Sequence, residues 1–245
     1  MNSLIQLSNI NKSFIAQKKI NVLKKINYKF KKGKIYSLMG PSGSGKSTLL
    51  NILSLIDRPS SGSITIEDNI IDFNNSNKND LLRAKKIGII YQQDNLLPDF
   101  NAFENIYLAS LAAGNKRELS KSKAQTLLKK VGLLNRSEHY PSQLSGGEKQ
   151  RISIARAMIK KSSIILLDEA TSSLDTETES KIQEALNTLT KNKTTIVIAH
   201  RLSTVLNSNN IYLIDSGRVV DNGRHEDLLI KSELYKNFYE KQIKK

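Results

Sequence analysis

The chain has 245 residues and a formal net charge of +15, from 38 Lys and Arg against 23 Asp and Glu. Hydrophobic residues make up 38% and charged residues 25%, enough apolar surface for a packed α/β domain and too much for a globally disordered chain. With no cysteine, disulfides and thiolate zinc sites are excluded, and the longest clean apolar runs fall far short of the ~20 residues that span a bilayer.

In chain order, Ile26, Tyr28 and Phe30 alternate with Asn27 and Lys29, the period-2 pattern of a half-buried strand. A basic turn, Lys31-Lys32-Gly33-Lys34, leads into a second strand, Ile35–Met39. Glycines follow, then Leu49, Leu50, Ile52, Leu53 and Ile56 at helical spacing. Pro59–Gly62 reads as a turn, Ile64 and Ile66 mark another strand, Asn74–Asn79 reads as a polar loop, and Ile87–Tyr91 as a buried strand. From about Leu96 to Lys160 the pattern becomes helical, with helices over Phe103–Ala113, Ser120–Val131 and Glu148–Lys160. Ile152, Ala155 and Ile159 share one face of the last. Strands then return at Ile164–Leu167, Thr194–Ile198 and Ile211–Ile214, with a helix between Thr176 and Thr190. Asp215-Ser216-Gly217-Arg218 reads as a hairpin turn. Alternating β and α elements imply a mostly parallel sheet with helices on both faces, interrupted by one helical insertion.

Three segments carry chemistry. Gly40-Pro41-Ser42-Gly43-Ser44-Gly45-Lys46-Ser47 fits G-x-x-x-x-G-K-[ST], with a strand before and a helix after, and Gly40 through Thr48 are the expected nucleotide-binding residues. Glycines let the backbone approach phosphate oxygens, successive N–H groups form an anion nest, and the following helix adds its positive end. Lys46 would reach the β- and γ-phosphates and the Ser47 hydroxyl would ligate Mg²⁺. The second segment, Ile164–Leu167, is an apolar strand ending in Asp168 and Glu169. Strand carboxyl ends are where open α/β sheets bind ligands, so Asp168 is placed to hold Mg²⁺ through water and Glu169 to act as general base. The third, Leu144-Ser145-Gly146-Gly147-Glu148-Lys149-Gln150, opens a helix and offers a second anion site in the same chain.

Leu144-Ser145-Gly146-Gly147-Glu148-Lys149-Gln150-Arg151 resembles the signature motif of the ABC (ATP-binding cassette) ATPases, and the resemblance spans essentially the whole chain. It implies a P-loop NTPase (RecA-like) core with a mostly parallel sheet, an N-terminal antiparallel β part and an inserted helical subdomain. The whole of 1–245 is then one ATPase domain, with residues 1–92 and 161–245 as nucleotide-binding core and 93–160 as helical subdomain. The resemblance also implies a metal-ligating glutamine, either Gln92 or Gln93, with register favouring Gln92. It implies a D-loop at Ser173-Leu174-Asp175, a switch histidine at His200, and an aromatic at Phe14 that stacks on adenine. Two chains would pack head to tail around two ATP molecules, each touching Lys46 of one protomer and Ser145, Gly146, Gly147 and Glu148 of its partner. Cofactors are expected to be ATP and Mg²⁺.

The sequence is similar to two branches of that family. Leu50–Pro59 and Tyr91–Phe100 look like the lipoprotein-releasing (LolD-type) ATPases. Asp168–Asp175, Ala199–Thr204 and Asp215–Arg218 are similar to exporters of lipids, drugs and peptides, and Ala170 stands where lipoprotein-releasing members carry proline. The partner expected is a separate membrane permease, docked through Gln92–Ala113. The place expected is the cytoplasmic face of the inner membrane, in line with an N-terminus that lacks a charged n-region and an apolar h-region. The basic charge admits an anionic partner, but equally reflects the abundance of Lys, Asn and Ile, with lysines scattered along the chain. A nucleic-acid-acting ATPase is disfavoured, because heptads, cysteine zinc sites and a second cassette are all missing from the sequence.

Overall fold

The computed structural model describes residues 3–15, 17–168, 176–199 and 202–243. They gather into two compact units, residues 1–79 with 194–245, and residues 80–193.

In the first unit, β1 (Ser3–Ile15) and β2 (Lys19–Lys31) form a long antiparallel hairpin. β1 also pairs antiparallel with β4 (Ser61–Ile66), and β5 (Asn69–Ile70) extends that sheet. This is the expected N-terminal antiparallel part. Register shifts between Leu7 and Ile10 and again before Lys12 bend β1, so that Leu4, Ile5, Leu7 and Ile10 are all buried despite an irregular period. A second sheet is built on β3 (Ile35–Met39), which runs parallel between β8 (Thr194–Ile198) and β9 (Asn210–Asp215). β10 (Arg218–Gly223) returns antiparallel on β9. Strands buried on both faces are mostly apolar, and β3 and β8 are so apart from the buried Ser37, Thr194 and Thr195.

Phe30 of β2 meets Tyr36 of β3 and Tyr212 of β9 edge-on, with centroids 5.0 and 5.7 Å apart. Burial pushes the Tyr212 phenol up to about 12. On the helical side, Val205 of α7 (Leu202–Leu206), Leu228 of α8 (His225–Lys231) and Tyr235 of α9 (Glu233–Ile243) pack with Met39, Ile211 and Leu213.

Helix α1 (Lys46–Leu53) is shorter than its apolar pattern implies. It stops at Leu53, Leu55 takes a left-handed φ of 61°, and Ile56 points outward at 56% exposure. The polar stretch 74–79 also departs from expectation, because 76–79 is the first turn of α2 (Ser76–Lys86). Asn75 Oδ1 accepts the Lys78 amide at 3.0 Å, and Asn79 Nδ2 donates to the Asp72 carbonyl at 2.9 Å. The asparagines that mark a loop in sequence here start a helix.

In the second unit, β6 (Ile87–Ile90) pairs parallel with β7 (Ile164–Asp168). Helices α3 (Ala102–Ala112), α4 (Arg117–Lys130) and α5 (Gly146–Met158) share an apolar core that includes Ile106, Leu128, Ile152, Ala155 and Ile159. The expected face of α5 is therefore the buried one. Helix α6 (Thr176–Thr190) has the limits read from its sequence. Among the described residues, no helix is long and apolar enough to cross a membrane.

Candidate functional site

The phosphate-loop sequence leaves β3 and enters α1 through a backbone clamped on both sides. Gly40 has φ +150°, and a Cβ there would lie 1.9 Å from the Ile214 carbonyl oxygen of β9. Gly45 has φ +104°, and a Cβ there would meet Leu23 Cδ2 at 2.7 Å and the Val22 carbonyl oxygen at 3.0 Å. At both positions only glycine fits the conformation and the space. Between them, the Ser44 carbonyl accepts the Gly217 amide at 3.2 Å, and the Gly217 carbonyl accepts the Lys24 amide at 2.8 Å. The β9–β10 turn thus supports the loop from behind.

Gly45 is the N-cap of α1 and offers no side-chain acceptor to the first-turn amides, unlike a capping Ser or Asp. The end of α1 is therefore left for an external anion. Lys46 is buried, and its ammonium donates to the carbonyls of Gly40 at 2.9 Å and Pro41 at 2.8 Å. Ser42, Gly43 and the Ser47 hydroxyl are exposed, and Thr48 is half-buried. On β1, Phe14 is 45% exposed, and the Lys12 ammonium sits 4.8 Å from its ring centroid.

In the second unit, Ile164–Leu167 is buried and Asp168 ends the strand half-exposed. Gln92 and Gln93, just beyond β6, are both exposed. Ser145 is the N-cap of α5 in a closed capping box. Its Oγ accepts the Glu148 amide at 3.3 Å, and Glu148 Oε2 accepts the Ser145 amide at 2.8 Å. Ser145 and Gly146 are exposed, Gly147 is buried, and no atom crowds the Cα of Gly146.

Residues 23–172 match the ABC transporter family. The chain belongs to that family. The lipoprotein-releasing system ATP-binding protein LolD of Saccharophagus degradans is 40% identical over 201 residues, covering 81% of this chain and 88% of that protein. The heavy metal tolerance protein of Schizosaccharomyces pombe is 43% identical over 222 residues, covering 89% of this chain but 26% of that protein. A solved dimeric ATP-binding cassette in a post-hydrolysis state, bound to ADP and Pi, superposes with a TM-score of 0.81 at 34% identity, covering 90% of this chain and 98% of that one. The protein is an ATP-binding and ATP-hydrolysing cassette with the P-loop α/β fold of its relatives. The resemblance to the ABC ATPases, and to LolD-type members among them, holds.

Glu169, Ser173, Leu174, Asp175 and His200 of the cassette lie outside the described residues. The donors expected for Mg²⁺, namely the Ser47 hydroxyl, the Asp168 carboxylate and the Gln92 amide, are all hard oxygens and carry one charge between them. That set suits an ion that keeps waters and shares phosphate oxygens. Among the described residues, no group of three or more His, Cys, Asp or Glu is arranged to hold a metal by itself.

The cassette also holds residues that the sequence reading passed over. The segment after Gln92 is fastened to two helices. Ser153 Oγ donates to the Asp94 carbonyl at 2.8 Å and Arg156 Nη1 to the Asn95 carbonyl at 2.7 Å, both from α5. Asn105 of α3, 1% exposed, accepts the Leu97 amide at 2.9 Å and donates to the carbonyls of Leu97 at 3.1 Å and Phe100 at 2.8 Å. Leu96 packs on the helical core, whereas Leu97 and Phe100 remain 40% and 38% exposed. An asparagine set among the apolar residues of 102–112 was the available signal for Asn105. For Arg136, which pairs with Glu148 at 3.3 Å from twelve residues upstream, local sequence offers none.

Proposed function

We propose that this cassette is the nucleotide-binding subunit that drives a separate membrane permease, in export or lipoprotein release, from the cytoplasmic face of the membrane. The observation that carries the reading is the segment 94–101, whose backbone is fixed by α3 and α5 while Leu97 and Phe100 face outward. A polar-rimmed apolar patch held rigid is what a partner protein needs. The similarity to LolD over most of both chains supports the lipoprotein branch. The likeness to a bacterial Atm1-family ABC exporter with ATP bound, with a TM-score of 0.82 at 30% identity over 99% of this chain and 42% of that one, supports the alternative, the nucleotide-binding part of a lipid, drug or peptide exporter.

In this reading the triphosphate lies in the loop Gly40–Thr48, and Phe14 stacks on adenine. Lys46 exchanges its two carbonyl acceptors for β- and γ-phosphate oxygens, a gain because the new acceptors are charged. Ser47, Gln92 and Asp168 would hold Mg²⁺, which when bound would offset charge on the phosphates. Glu169 takes a proton from the attacking water, the water oxygen bonds to the γ-phosphorus, and the bond to the ADP oxygen breaks. His200 hydrogen-bonds the γ-phosphate. Ser145, Gly146, Gly147 and Glu148 meet the ATP of the opposite subunit, beside the D-loop Ser173-Leu174-Asp175. The helical subdomain, residues 93–160, is the part that docks.

Leu97→Asp or Phe100→Asp is the direct test. Each places an unpaired charge in the patch and should move the protein from the membrane fraction to the supernatant, with ATPase activity of the purified chain within about twofold of the parent. Membrane association and transport that persist in both variants contradict the docking role.

A further inference from the structure

The signature end of α5 contains a contradiction in charge. A helix N-terminus attracts anions, yet the first turn of α5 already carries the Glu148 carboxylate, bonded through Oε2 to the Ser145 amide. A γ-phosphate arriving beside Ser145 would meet a second anion a few ångströms away, and like charges at that range repel strongly where water is excluded. The other oxygen of that carboxylate, Oε1, lies 3.3 Å from Arg136 Nε.

We propose that Arg136 is the counter-ion of the signature motif, a positioning residue that neutralises Glu148 and so keeps the helix end receptive to phosphate. The proposal rests on the reading that Ser145 meets ATP of the opposite subunit. Arg136 is held for the task. It belongs to the short 3₁₀ turn Leu134–Arg136, and its Nη1 lies 3.0 Å from His139 Nε2. The carbonyls of Ser137 and His139 accept the Phe103 and Ala102 amides, both at 2.9 Å, which builds the turn into the start of α3. The guanidinium meets Glu148 through Nε at 3.3 Å and His139 through Nη1 at 3.0 Å, from two fixed positions of one planar group.

Glu148 stays ionised. Burial pushes its carboxyl up, but hydrogen bonds from the backbone and side chain of Ser145, together with the charges of Arg136 and Arg151, outweigh burial and hold it below its ordinary value. The demand for a counter-ion is therefore constant near neutral pH. Arg151, buried one turn further along α5, adds a second positive charge.

The rival explanation is that Arg136 merely fastens its turn to α5. Charge separates the two, because glutamine at the third position of a capping box keeps the bond to the N-cap amide and removes the charge. ATP–Mg²⁺-driven dimerisation is measured by sedimentation in the Glu169→Gln background, where ATP persists. Arg136→Gln should weaken the ATP-bound dimer about tenfold, the cost of stranding one charged partner. Adding Glu148→Gln should abolish that cost, leaving the double variant within about twofold of Glu148→Gln alone. Arg136→Lys, which keeps the charge, should lose less than about threefold.

Equal losses on removing Arg136 with and without Glu148 overturn the proposal, as does no loss in either. If Arg136→Gln does not fold, Arg136→Lys still decides: a dimer weakened tenfold overturns the proposal, and a loss of less than about threefold supports it. A parent protein that forms no dimer with ATP would instead refute the signature reading on which the proposal stands.

Discussion

Glu169→Gln is expected to slow ATP hydrolysis by about 10²–10⁴-fold, the usual worth of a general base, while ATP still binds. Glutamine preserves the size of the side chain and its capacity to hydrogen-bond the attacking water, but cannot accept the proton. The expectation follows from position. Asp168 closes a strand whose preceding four residues are buried, open α/β sheets bind ligands at strand carboxyl ends, and Glu169 is the next residue in the sequence. Steady-state phosphate release and equilibrium binding of a fluorescent ATP analogue are the two readouts. A purified variant that turns over at the parent rate removes Glu169 from the mechanism. One that also loses nucleotide binding assigns it to holding the substrate instead.

The second large effect is structural. Gly40→Ala should destabilise the protein by about 3 kcal/mol or more, because no side chain can yield where the added carbon meets backbone. The new Cβ would lie 1.9 Å from the Ile214 carbonyl oxygen, so β3 or β9 must move. Gly43→Ala is the matched control. Its φ is +77° but nothing lies within 4 Å of the added carbon, so only the left-handed backbone is strained, at about 1 kcal/mol. Urea unfolding midpoints compare the two directly. Equal losses would mean that the strand at Gly40 shifts freely and that the loop is not clamped as described. The contrast matters for function, since the same clamp sets the aim of the amides and of Lys46.

How much of this was legible in the sequence depends on the distance over which each feature is encoded. The phosphate loop and the signature turn are contiguous, and their glycines and serines stand in the order that backbone geometry requires. The hairpin at Asp215–Arg218 was equally legible, because Ser216 and Gly217 both adopt positive φ, of 48° and 78°. Helix α2 was hidden because its residues are nearly all polar and only Asn79 is buried, so no apolar period announces it. Strand β1 was blurred by its bulges, which break the alternation that identifies a strand.

In the site, the residue types were readable but their support was not. Gly217 backs Ser44, Lys46 folds onto its own loop, and Arg136 faces Glu148, each through contacts that only the folded chain brings together. The choice between Gln92 and Gln93 stayed open for the opposite reason. Both side chains are exposed beyond β6, so burial does not choose between them.

The central claim is that one chain carries two half-sites, around Lys46 and around Ser145, which become complete when two chains close on ATP. Sedimentation velocity of the Glu169→Gln variant with and without ATP–Mg²⁺ tests it most directly. Without nucleotide, neither half-site gains from pairing and the chain should sediment as a monomer. With ATP–Mg²⁺ well above its affinity, a dimer of twice the mass holding two ATP should dominate, since ligand that binds across the interface shifts the population by mass action. A monomer that binds ATP to saturation and stays monomeric would contradict the account.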